Sequence, residues 1–132
     1  MDSTSIDLVG SKISKVSVEG DTVRVRFEPA YLIKTMTGSV ERTRWWQNGE
    51  LVFSAAEIDG ELPELPATCA GGDVGENVYT YRDMIPVPLE SAGHAHCALK
   101  IEGSDAQVLV QAGAVKLQLE DVAKYIEHLR PE

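Results

Sequence analysis

The sequence is poor in the features that announce a function. Two cysteines, Cys69 and Cys97, are too few for a disulfide framework and form neither a CxxC pair nor a zinc-finger spacing, so two reduced thiols are expected. No apolar run comes near the roughly 20 residues needed to cross a bilayer; stretches such as Leu51-Val52-Phe53 are typical of the longest. The opening residues Met1-Asp2-Ser3-Thr4-Ser5-Ile6-Asp7 carry acids where an export signal carries basic residues followed by an apolar stretch, so a cytoplasmic location is the expectation. Positive charge is scarce as well. Twelve basic residues against 21 acidic ones give a net charge of −9, which repels phosphate backbones and anionic lipid and argues against nucleic acid or a membrane as partner. Between residues 47 and 96 a single cation, Arg82, stands against nine acids, the composition of a solvated, loop-rich surface.

What is present fits one β-rich domain over residues 1–132. The apolar share of 43% is enough for a core at this length, and the charged share of 25% lies far from that of disordered chains. Val23, Val25 and Phe27 alternate with Thr22, Arg24 and Arg26 after a turn at Glu19-Gly20-Asp21, which predicts a hairpin with one buried face. Ala95, Cys97, Leu99 and Ile101 alternate in the same way, turn at Gly103-Ser104-Asp105 and return through Val108 and Val110; Val115, Leu117 and Leu119 form a further strand. A turn is also expected at Thr37-Gly38-Ser39. Asn48-Gly49, between Thr43-Arg44-Trp45-Trp46-Gln47 and Glu50-Leu51-Val52-Phe53-Ser54, reads as a two-residue hairpin turn. That register puts Trp46 in the core with Leu51 and Phe53 and leaves Trp45 on the polar face, in need of cover from the chain itself or a partner.

Residues 59–76, punctuated by Gly60, Pro63, Pro66, Gly71, Gly72 and Gly75, read as a long loop, with residues 60–76 the least protected part of the chain and Cys69 exposed. Val78–Ile85 reads as one short strand in which Tyr79, Tyr81 and Asp83 share a face. At the end, Asp121 is placed to cap a helix carrying Val122, Tyr125, Ile126 and Leu129, stopped by Pro131. Short strands without alternating helices predict a mainly β fold, an antiparallel sandwich or small barrel with a C-terminal α-helix.

Chemistry-bearing residues are few. His94 and His96 fall on one face of a strand, about 7 Å apart by strand geometry, a spacing suited to two ligands of one divalent metal. The cupin-type pattern adds a Glu four or five residues later, where this chain has Lys100 and Ile101. Such a metal is the one cofactor the sequence suggests. Gly71-Gly72-Asp73-Val74-Gly75 lacks the lysine of a phosphate-binding loop, and no complete catalytic constellation is legible, so no residue is assigned a catalytic role. The leading expectation is a non-enzymatic module that presents Trp45, Tyr79 and Tyr81 to a protein partner or to a second copy as a homo-oligomer. The alternatives are a metal-binding barrel or metalloenzyme using His94 and His96, and a barrel that holds a small apolar ligand.

Overall fold

The computed structural model describes residues 3–38 and 40–129, and within them the chain is all β. Met1, Asp2, Ser39 and Pro131 lie outside the described residues. In chain order the strands are β1 (Ser3–Asp7), β2 (Lys12–Glu19), β3 (Thr22–Thr35), β4 (Arg42–Ser54), β5 (Glu57–Asp59), β6 (Ala67–Glu76), β7 (Tyr79–Arg82), β8 (Met84–Val87), β9 (Glu90–Ser91), β10 (Ala95–Ile101), β11 (Gln107–Ala112), β12 (Ala114–Leu119) and β13 (Lys124–Leu129). They join into one sheet with the path β5-β11-β10-β6-β2-β3-β4-β12-β9, to which β1, β7, β8 and β13 attach. All pairings are antiparallel.

The expected sandwich or barrel is therefore corrected to one open sheet. Its path ends at β5 and β9 without closing. It stays continuous because β6 divides its length, pairing Ala67 and Thr68 with β2 and Cys69 to Glu76 with β10. The sheet curls so that a single face is shared: Val25, Phe27, Leu51 and Phe53 belong to the same buried cluster as Cys97, Leu99, Val108 and Val110. The period-two pattern of β3, β10 and β11 is thus realised as expected, and the β2–β3 and β10–β11 hairpins form at the expected turns.

The C-terminal helix is not formed. Lys124–Leu129 is a strand on the edge of β4, with Lys124 opposite Trp46, Tyr125 opposite Trp45 and Leu129 opposite Arg42. The apolar spacing that suggested a helix is that of a strand with one extra residue: the register shifts between Tyr125 and Glu127, so Ile126 is a bulge. A short isolated helix is marginal, whereas the free edge of β4 offers backbone partners at once. No helix long and apolar enough to cross a membrane occurs among the described residues.

Three further expectations are corrected, the first two by close packing. Asn48-Gly49 makes no turn; β4 runs straight through it for 13 residues. Gly49 is buried opposite Leu119, and a Cβ there would stand 2.7 Å from the carbonyl oxygen of Gln118, so the glycine serves strand approach and not chain reversal. Residues 67–76 are likewise no loop but the ten-residue strand β6, with Cys69 fully buried. Gly72, at φ 133°, meets the carbonyl oxygen of Ala98 where a side chain would stand. Val78–Ile85 is two strands rather than one, broken at Asp83, whose φ is 61°.

Candidate functional site: an aromatic groove on the outer face

The long pair β3–β4 fixes where the tryptophans point. In β4 the side chains of Gln47, Leu51 and Phe53 face inward, and because no turn intervenes the same parity carries Trp45 to the inner face. Trp45 lies opposite Leu32 and packs against the core, which reverses the assignment expected from a turn at Asn48-Gly49. Its cover is the terminal segment of the chain, as a strand: Tyr125 meets it edge-on at 5.4 Å between ring centres, Lys34 Nζ sits 4.3 Å from the ring centre, and its Nε1 donates to Thr43 Oγ1 at 2.8 Å. The Tyr125 hydroxyl in turn contacts His128 Nδ1.

Trp46, expected in the core, stands on the outer face. It lies in register with Tyr31, and the two share that face with Ile126, Pro29, Asn48 and Glu28 around a groove of about 410 Å³. Pro29 belongs there because it falls where the β3–β4 register shifts, so its missing N–H costs no ladder bond. Cations lie over both rings, Arg44 at 4.6 Å from the Tyr31 ring centre and Lys124 Nζ at 4.5 Å from that of Trp46. Arg44 also reaches Asp7 at 3.4 Å, which ties this edge of the groove to β1.

The outer wall of the groove depends on β13, and β13 is anchored by the turn before it. Gln47, a buried polar side chain, donates through Nε2 to the carbonyls of Glu120 (3.0 Å) and Asp121 (3.1 Å). Arg26 binds the carboxylate of Glu120 with two nitrogens, at 2.5 and 3.0 Å, and also pairs with Glu28. These contacts hold the Glu120 carboxyl below its usual range and raise the Arg26 guanidinium further above its own.

The other residues singled out in the sequence lie elsewhere. Tyr79 and Tyr81 sit on the short strand β7 beside β6. Tyr81 packs against the core and donates its hydroxyl to Glu76 at 3.0 Å, and burial followed by this bond raises its pKa; Tyr79 is exposed. His94 precedes β10 and His96 lies on its outer face, their ring centres 5.9 Å apart, with the His96 ring resting over Gly75. No group of three or more His, Cys, Asp or Glu side chains placed to share a metal occurs among the described residues, so the pair has no third ligand there.

Cys69 and Cys97 are both free and buried. Desolvation pushes the Cys97 thiol up to about 12 and raises Cys69 too, which suits inert core thiols rather than nucleophiles. Sequence reasoning missed Tyr31, Ile126 and the outward Trp46. The parity of an unbroken β4 was the signal that could have found them. The chain has no match among models of known protein families, curated proteins or solved structures, so the residues themselves carry the functional argument.

Proposed function

We propose that this chain is a non-enzymatic protein-interaction or assembly module whose docking surface is the outer-face groove around Trp46 and Tyr31. The observation that carries the reading is the pairing of two aromatic rings in register on the solvent side of the sheet, extended by Pro29 and Ile126. Aromatic side chains at the centre of a small apolar surface dominate binding energy in protein interfaces. Arg44 and Lys124 stand over the rings of this groove, and the acids nearest it, Glu28 and Asp7, are paired with Arg26 and Arg44, so Lys124 supplies the uncommitted charge of the rim in a chain of net charge −9. The partner that fits is a protein segment with an apolar anchor between acidic side chains, because rim charges steer and orient such a segment. Trp45 acts from behind, holding β13 against β4, and Tyr79 offers a separate exposed ring on β7.

The test is site-specific photocrosslinking in cells from position 46, with position 118 on the exposed part of β12 as control, together with sedimentation of the purified protein over a range of concentrations. A discrete adduct formed from 46 and not from 118 supports docking to another protein. Concentration-dependent association lost in Trp46→Ala supports assembly with a second copy. If position 46 gives no more adduct than 118 and the protein sediments as a monomer throughout, the reading is wrong.

A second reading, a divalent-metal site, draws support from the 5.9 Å separation of the His94 and His96 rings, close enough for both to reach one ion. Equilibrium dialysis against zinc tests it. One equivalent bound and then lost in the His94→Ala, His96→Ala double variant would favour it, and no uptake would remove it.

A further inference from the structure

A different depression, of about 430 Å³, lies on the outer face where β7, β6, β10 and β11 run side by side. Its size is that of a small-molecule site. The floor is low because Gly72 and Ala98 stand among long neighbours, and Arg82, Lys100 and Gln107 form the walls. Lys100 is opposite Gln107 on one side and Gly71 on the other, so strand pairing fixes where its chain emerges.

The charges in this depression are unequally committed. Asp73 Oδ1 accepts from Arg82 Nε at 3.2 Å, and Asp83 Oδ1 accepts from the Gly72 amide at 2.9 Å. Each carboxylate thus has one oxygen engaged by the chain. Among the described residues no hydrogen bond engages Lys100 Nζ, the Gln107 side-chain amide or the two terminal nitrogens of Arg82, and Lys100 is in no ion pair. What remains for a ligand is these donors on three side chains, with the second oxygens of Asp73 and Asp83 beside them. One residue of the wall beside them is in a costly conformation: Asp83, at φ 61°, takes a left-handed position next to Gly71 and Gly72, and its amide donates back to the Gly72 carbonyl at 2.7 Å. Backbone held in costly conformations concentrates at ligand sites, where it keeps the donors in place.

We propose that this depression binds a small anionic ligand, with its carboxylate or phosphate group held between Lys100 and Arg82 and with Gln107 as third donor. The free edge of a guanidinium already oriented by Asp73 suits a planar or tetrahedral oxyanion, and an unpaired ammonium beside it supplies the second charge. The net charge of −9 opposes anion approach at long range, so recognition is short-range and weakens with salt.

Amide NMR titrations with inorganic phosphate and, separately, with citrate at low ionic strength test the site. Saturable shifts centred on Gly72, Arg82, Ala98 and Lys100 are expected with at least one probe, and which one responds tells phosphate from carboxylate. Lys100→Ala should weaken that binding about tenfold or more, the worth of one charge-assisted contact, while Lys12→Ala on β2 should leave it unchanged. Lys100 is exposed, so this variant keeps the fold, and its unshifted amides elsewhere verify that. Trp46→Ala should bind the anion as the unaltered protein does, which separates this site from the docking groove. The proposal is overturned if neither probe gives saturable shifts, if the shifts centre elsewhere, or if Lys100→Ala and Lys100→Glu bind as well as the unaltered protein.

Discussion

β10 and β13 are strands of nearly equal length, seven and six residues, and they live in opposite circumstances. β10 is paired on both sides, by β6 and β11, and buries Ala95, Cys97, Leu99 and Ile101 in strict alternation. β13 is paired with β4 alone, carries a bulge and buries no side chain fully. A strand acquires readable alternation when one of its faces is dry along its length. At a margin, backbone bonds and a few ring contacts suffice, and almost any side-chain pattern is allowed.

The largest contrast should come from truncation. Leu99→Ala in β10 is expected to cost about 2–5 kcal/mol in denaturant unfolding, whereas Ile126→Ala in β13 should cost under about 1 kcal/mol. Equal costs would mean that β13 is part of the core after all. Next comes the tryptophan pair. Trp45→Ala should destabilise by about 2–3 kcal/mol because the ring packs on the core and under Tyr125, and Trp46→Ala by about 1 kcal/mol or less. A larger cost at Trp46 would break the assignment of inner and outer faces.

The third expectation is alkaline. Burial keeps the Cys97 thiol protonated up to about 12, while in the unfolded chain it ionises near 9. The native state then holds more protons, so this group's stabilisation is complete below about pH 9 and declines as pH rises toward 12. Urea unfolding at pH 8 and pH 10.5 should show a loss roughly 1–2 kcal/mol greater in the unaltered protein than in Cys97→Ala. Identical losses would show that the thiol is not desolvated. The smallest effect concerns the anchor of β13. Arg26 holds the Glu120 carboxyl below its usual range, so the contribution of this pair is present above ordinary carboxylate pKa values and is lost as pH falls through the depressed one. Glu120→Gln should lower the exchange protection of β13 amides and leave that of β10 unchanged; unchanged β13 protection would show that Gln47 alone anchors the turn.

Much of the central sheet was legible. The β2–β3 and β10–β11 hairpins follow from apolar residues at every second position and from glycine turns, Gly20 and Gly103, both at positive φ. The errors share a cause. Asn48-Gly49, Gly71-Gly72 and Gly75 look like interruptions, yet each glycine among them is a place where a neighbouring strand, ring or carboxylate comes too close for a side chain. A glycine that permits a turn and one that permits contact cannot be told apart before the neighbour is known. The groove around Trp46 was hidden for that reason, since a turn placed at Asn48-Gly49 exchanges the faces of Trp45 and Trp46.

By itself the sequence determined a mainly β fold, because period-two burial of Val, Leu, Ile and Phe is a local property of the chain and needs no partner to be stated. It also determined the acidic surface and the thiol count. Only the tertiary structure decided that the sheet stays open, that β13 is a strand and that Trp46 faces outward. It also brought Lys100, Arg82 and Gln107 around one depression. Each of those depends on which edges pair and in what register. Shifting a strand by one residue exchanges its two faces, and register is set by contacts between residues far apart in the chain.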